Sequence, residues 1–264
     1  MDALKTRLKS TWEAGDFSKV AEHIEGTAKD FVDRLELRPG MTVLDVACGS
    51  GNLAIFAAET GANVTGLDLA ANLIDAAERR AKQHGVSVKF DVGDAEALPY
   101  PDNSFDVVMT MYGAMFCPRP EMAAGELIRV CKPGGTIAMA NWTPGGFAGQ
   151  MFKIGTKYLP PPNMPPPVLW GVPETVAERF GDRVSGLTMT PQIAEMTFEI
   201  PPADVVEFFK TYFGPTIMAF RAMAEDDRKS CTADLVAHWE ANNVGEPGKT
   251  VTKSEYLEVR AIKK

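Results

Sequence analysis

Residues 42–52 read Thr42-Val-Leu-Asp-Val-Ala-Cys-Gly-Ser-Gly-Asn52. An apolar, partly β-branched run gives way to two glycines and then to Leu53-Ala-Ile-Phe-Ala-Ala58. That order reads as a buried strand, a tight turn and a helix. Glycine at 49 and 51 lets the backbone turn sharply and approach a ligand where a side chain would clash.

The alternation continues downstream. Strands are predicted over 42–46, 63–67, 87–90, 105–110 and 136–141, with helices over 52–60, 70–83 and 121–131 between them. Short connections between alternating strands and helices imply crossover units and a parallel sheet. Residues 4–37 carry apolar positions at helical spacing, broken at Gly15-Asp16. Lys132-Pro-Gly-Gly135 reads as a helix stop turning into the fifth strand.

The second half has a different texture. Residues 143–170 are rich in Gly, Pro and Met and include Pro160-Pro-Pro-Asn-Met-Pro-Pro-Pro167, either a stiff spacer or a wall over a pocket. Residues 173–181 read as a short helix with Pro173 at its start and Gly181 past its end. A strand over 192–200, a helical segment over 203–243 and a final strand over 255–262 complete the chain.

Three acids stand at successive strand ends. Asp45 precedes Gly49 by four residues, Asp68 closes Val64-Thr-Gly-Leu-Asp68, and Asp94 follows the third strand in Gly93-Asp94-Ala95. Gly49-Ser-Gly51-Asn-Leu-Ala54 also satisfies the dinucleotide G-x-G-x-x-A pattern, so an NAD-dependent oxidoreductase is a competing reading. A carboxylate at 45 would oppose a pyrophosphate, whereas it suits a ligand carrying an ammonium and a sulfonium. Asp68 can accept ribose hydroxyls in either case. Asp94 can accept from an adenine amino group while the Ala95 amide reaches the ring. Asp45 lies too far before Asn52 in sequence to be expected as a cap of that helix.

With these motifs the chain resembles the class I S-adenosylmethionine-dependent methyltransferases, in particular the type 11 small-molecule group typified by quinone-biosynthesis enzymes. The matching stretches, within residues 40–142, are 43–52, 64–70, 93–108 and 127–141. The resemblance implies S-adenosyl-L-methionine as cofactor, with Gly49 and Gly51 at the methionine moiety, Asp68 at the ribose and Asp94 with Ala95 at the adenine. It extends the expected cofactor set to Phe17, Asp45, Ala47, Asn52, Leu69 and Met111. Trp12 and Phe17 resemble aromatic positions of an N-terminal segment that closes over the cofactor.

The implied fold is α/β: a doubly wound, mostly parallel seven-stranded sheet of Rossmann-like type with a helical cap. One domain is expected over 1–264, with 1–38 as N-terminal cap and 39–142 as the cofactor-binding half. Residues 143–264 form the substrate-side half, with a helical insertion at about 202–245. A catalytically silent nucleoside-binding protein on the same fold is a further alternative.

Composition narrows the acceptor. A net charge of −8 and pI ≈ 5.0 repel phosphate backbones, so nucleic acid is not expected as a substrate. No apolar run approaches a membrane span of about 18 residues, and the charged N-terminus lacks a signal-peptide core. The four cysteines, Cys48, Cys117, Cys131 and Cys231, form no paired spacing, which argues against a metal site or disulfide framework and suits the cytoplasm. A monomer or homodimer is expected.

The fourth strand runs into Met111-Tyr-Gly-Ala-Met-Phe116 rather than into an Asn/Asp-Pro-Pro-aromatic tetrad, against a nucleobase or amide nitrogen as acceptor. Aromatics outside the cofactor half, among them Trp170, Phe208 and Phe213, suit a small, largely apolar acceptor or the cap's own core. Methyl transfer from a sulfonium needs alignment first and a base only for a nucleophile of high pKa. The candidates for such a base are His23, Tyr112 and His238.

Overall fold

The structure, a computed structural model, describes residues 3–161 and 163–264; Pro162 of the proline run lies outside the described residues. Three helices precede the sheet: α1 (Ala3–Glu13), α2 (Phe17–Ala21) and α3 (Glu25–Arg34). The break at Gly15-Asp16 falls where composition places it. There the Asp16 carboxylate accepts from the Ser18 amide and starts α2.

The alternating region follows as β1 (Thr42–Val46), α4 (Asn52–Glu59), β2 (Asn63–Asp68), α5 (Ala71–His84), β3 (Val88–Val92), β4 (Phe105–Met111), α6 (Pro120–Val130) and β5 (Cys131–Trp142). β1 buries four of its five residues because helices cover both faces of the sheet. Gly85, at φ +70°, ends α5 in the left-handed conformation that glycine adopts without penalty.

The second half departs from expectation in three places. Residues 147–158, within the Gly/Pro/Met-rich stretch, form the helix α7 (Phe147–Tyr158). After α8 (Pro173–Phe180), β6 (Val184–Phe198) begins well before residue 192. It is the edge strand, so its first part is largely exposed and accommodates Pro191, which has no ladder donor to offer. The helical segment over 203–243 is three helices, α9 (Pro202–Tyr212), α10 (Gly214–Ala222) and α11 (Glu225–Asn242). β7 (Thr250–Lys263) closes the chain.

The sheet order is β3-β2-β1-β4-β5-β7-β6. The first five strands pair in parallel, and β7 runs antiparallel to both β5 and β6. The sheet is therefore mixed, with four of its six strand pairs parallel, in keeping with a mostly parallel sheet. Phe198 at the end of β6 pairs with Thr250 at the start of β7, so α9–α11 leave and return at one end of the sheet. Trp142 at the end of β5 pairs with Tyr256 of β7, which places that excursion at the carboxyl edge of the parallel strands. Among the described residues no helix is long and apolar enough to cross a membrane.

Candidate functional site

Strand order reverses at β1, with β2 and β3 to one side and β4 and β5 to the other. Ligands of open α/β sheets bind outside the carboxyl ends of the strands at such a switch point. A cavity opens there. It is lined by the ends of β1 to β4 (Asp45, Ala47, Asp68, Gly93, Asp94, Met111 and Tyr112) and by Leu8, Trp12 and Phe17 from the N-terminal helices.

Among the described residues, two of the three strand-end acids are buried with backbone amides and no cation as partners. Asp45 is 1% exposed and Asp68 8%; the amides are those of Ala54 for the first and of Gly49 and Ala70 for the second. Burial pushes the Asp45 carboxyl well above its ordinary range; the Ala54 amide opposes this and the Asp68 charge adds to it. Burial also raises Asp68, against hydrogen bonds from the Ala70 and Gly49 amides. At the opposite end of the sheet Asp106 shows the contrast. Bonds from Lys132 and from the Thr42 amide and hydroxyl lower its carboxyl to about 2. Acids left buried and unneutralised at a cavity wall suit a ligand that brings positive charge.

Asp45 corrects the sequence argument on one point. Its Oδ2 accepts from the Ala54 amide at 3.1 Å, in the first turn of α4. The glycine turn folds back, so an acid seven residues before the helix still reaches its free amides. Asp45 thus fastens the helix and faces the cavity at once.

Asp94 also has more partners than expected. One oxygen accepts from the Glu96 amide at 2.9 Å and the other from the Lys5 ammonium of α1. Ala95 lines the cavity beside it. Lys5, which also lies 2.7 Å from Glu96, carries no local signal in the sequence, since its position depends on how α1 docks.

The turn itself is shaped by left-handed backbone at Ala47 (φ +55°), Gly49 (φ +54°) and Gly51 (φ +84°). A non-glycine residue in that region is strained, and such strain concentrates at ligand sites. Gly49 lines the cavity beneath the Phe17 ring, whereas Gly51 does not line it. A Cβ at Gly51 would approach Ala77 and Phe90 at 3.2 and 3.3 Å, so it packs the turn against α5. Arg80 clamps the turn from α5, donating to the Ser50 carbonyl at 2.7 Å, to Asn52 Oδ1 at 2.5 Å and to Glu25 at 2.7 Å. Asn52 and Leu69 line the cavity, and Asn52 also donates to the Ala21 carbonyl at 3.0 Å.

Beyond Met111 the wall turns aromatic. Trp12 meets Phe116, Phe17 and Phe213 edge-on, with ring centroids 5.1, 5.9 and 5.9 Å away. Of the three candidate bases only Tyr112 lines this cavity. Its ring stacks on Trp142 at 3.7 Å, its hydroxyl is buried without a partner among the described residues, and burial holds the phenol well above its usual range. His23 stacks on Phe198 and contacts the Thr197 carbonyl at 2.6 Å; His238 stacks on Phe147 and contacts its carbonyl at 3.0 Å. Neither histidine lines the cavity. Cys48 and Cys117 line it, and burial pushes both thiols up, away from the thiolate.

A family model described as a methyltransferase domain matches residues 44–139. An uncharacterised protein of Mycobacterium tuberculosis is 37% identical over 221 residues, covering 83% of this chain and 81% of its own. Demethylmenaquinone methyltransferase of Renibacterium salmoninarum is 37% identical over 128 residues, 48% of this chain and 52% of that protein. In fold, the YcgJ protein of Bacillus subtilis superposes with a TM-score of 0.61 at 17% identity, over 90% of this chain and 98% of that one. A switch-point cavity bordered by buried strand-end acids, the matched domain model and these relatives agree: the chain belongs to the class I S-adenosylmethionine-dependent methyltransferases.

Proposed function

We propose that the protein transfers a methyl group from S-adenosyl-L-methionine to a small, largely apolar acceptor by in-line displacement. One observation carries this reading. Three carboxylates at successive strand ends, two of them buried with no cation among the described residues, open on one cavity with an apolar aromatic wall. The donor set fits the cofactor. Asp45, Ala47, Gly49, Asn52 and Phe17 would hold the methionine moiety, Asp68 and Leu69 the ribose, and Asp94 and Ala95 the adenine. Met111 would lie between nucleoside and acceptor. When bound, the cofactor supplies a methyl on a sulfonium, a good leaving group.

The chain's own part is orientation and exclusion of water. Trp12, Phe116 and Tyr112 supply a wall for a ring-shaped acceptor, and the name of the Renibacterium relative points the same way. The three sequence segments would act as one unit, with 1–38 as cap, 39–142 holding cofactor and 143–264 facing the acceptor. Four free thiols, three of them buried, suit a reducing cytoplasm.

Burial holds Tyr112 and both thiols of the cavity wall protonated, so none of the three is poised as a base. Methylation of a series of phenols, quinols, thiols and amines, followed by mass, should therefore show a pH profile that moves with each acceptor's own pKa. A profile fixed across the series would instead reveal a base supplied by the protein. Cofactor binding with no acceptor methylated would favour a silent nucleoside-binding protein.

A further inference from the structure

The buried face of α1 is unusual in its chemistry. Its one buried residue is Lys5, whose side chain is 9% exposed. Lys5, Leu8 and Trp12 stand three and four residues apart, so they share one helix face, and all three line the cavity. Leu8 and Trp12 are only half-buried there. The helix is thus anchored at one end by an ion pair and at the other by Trp12 against three phenylalanine rings, with Leu8 and Trp12 still bordering the cavity.

The anchor itself is well built. The Lys5 ammonium donates to Asp94 and lies 2.7 Å from Glu96. The Glu96 side chain is fully buried and also accepts from the Arg119 amide at 2.6 Å and its guanidinium at 3.1 Å. Burial works against the Lys5 charge, and the hydrogen bonds to Asp94 and Glu96 more than restore it. Among the described residues that line the cavity, Lys5 is the only Lys, Arg or His. Asp94 is also where the proposed function places the adenine. Each carboxylate oxygen has two acceptor sites, so one oxygen can hold the ammonium and an amino group together.

We propose that Lys5 is a cofactor-positioning residue that ties the docking of α1 to occupancy of the nucleoside end of the cavity, each stabilising the other. This rests on the methyltransferase reading above. Trp12 follows on the same helix face and meets Phe116, so α1 carries part of the acceptor wall as well as the tie to the nucleoside end. Nucleoside that steadies α1 then steadies that wall as well.

Hydrogen exchange of the α1 amides, with and without S-adenosylhomocysteine, tests this on the full chain. In the natural protein, saturating nucleoside should slow exchange over residues 3–13 by about tenfold or more. Lys5→Met should bind the nucleoside at least about tenfold more weakly and lose most of that slowing. Lys5→Arg, which keeps the charge, should retain part of both, and an unchanged circular dichroism spectrum shows that each variant is folded. The proposal is overturned if Lys5→Met binds within about twofold of the natural protein, or if bound nucleoside leaves α1 exchange unchanged. Failure of the natural protein to bind the nucleoside at all would instead refute the methyltransferase reading.

Discussion

Asp68→Ala should weaken binding of S-adenosylhomocysteine by about 2–3 kcal/mol, roughly 30- to 150-fold. Asp68 closes β2 with 8% exposure, and its two oxygens accept from the Gly49 amide at 2.8 Å and the Ala70 amide at 2.9 Å. Alanine removes the acceptor proposed for the ribose hydroxyls and also frees the Gly49 amide, so the turn loses its tie to β2. Asp68→Asn separates the two effects. It keeps the shape but points an amide donor at a backbone donor, so it should weaken binding less than alanine if the ribose contact dominates. Calorimetric titration reads the affinity, and unfolding without ligand reads the structural part. An affinity unchanged in Asp68→Ala would remove the ribose assignment.

Gly113→Ala should cost about 1–3 kcal/mol of stability and most of the cofactor affinity. Gly113 has φ −99°, which any residue adopts, so the effect is one of space alone. A Cβ there would stand 2.4 Å from the Ala47 carbonyl oxygen and 2.7 Å from the Ala47 Cβ. The ends of β1 and β4 would have to part, and Ala47, already at φ +55°, lines the cavity at that point. Gly26→Ala in α3 is the control. A methyl added there meets nothing within 4 Å, and a helical glycine replaced by alanine gains rather than loses, by up to about 1 kcal/mol. A Gly113→Ala protein with unchanged melting temperature and affinity would show that the two strand ends are not packed as described.

The cofactor half is legible in the sequence because its signals are local. β1, the glycine turn and the acids at 45, 68 and 94 each depend on a few neighbouring residues, and all three acids face one cavity in the structure. Gly51 shows the limit of such a motif: its pattern is right, but its open side faces α5 rather than the cavity. Asp45 shows another, since distance along the chain hides a capping bond that the turn brings within reach. In the second half, β6 is hard to see before residue 192 because an edge strand need not alternate or exclude proline. The three-way division of 203–243 is marked in part by Gly214-Pro215, a helix-start signal that apolar periodicity alone passes over. Lys5 reaches the site only through tertiary packing, whereas Phe116 and Cys117 follow directly on the end of the fourth strand. The two histidines have the chemistry of a base, but each stacks on a phenylalanine and neither borders the cavity.

Thermal unfolding in the presence of S-adenosylhomocysteine, S-adenosylmethionine or NADH puts the central claim to its most direct test. Either sulfur nucleoside, binding at micromolar concentration, should raise the melting temperature by a few degrees at saturation, while NADH leaves it unchanged. A rise with NADH and none with either sulfur nucleoside would contradict the account and return the glycine turn to a dinucleotide enzyme.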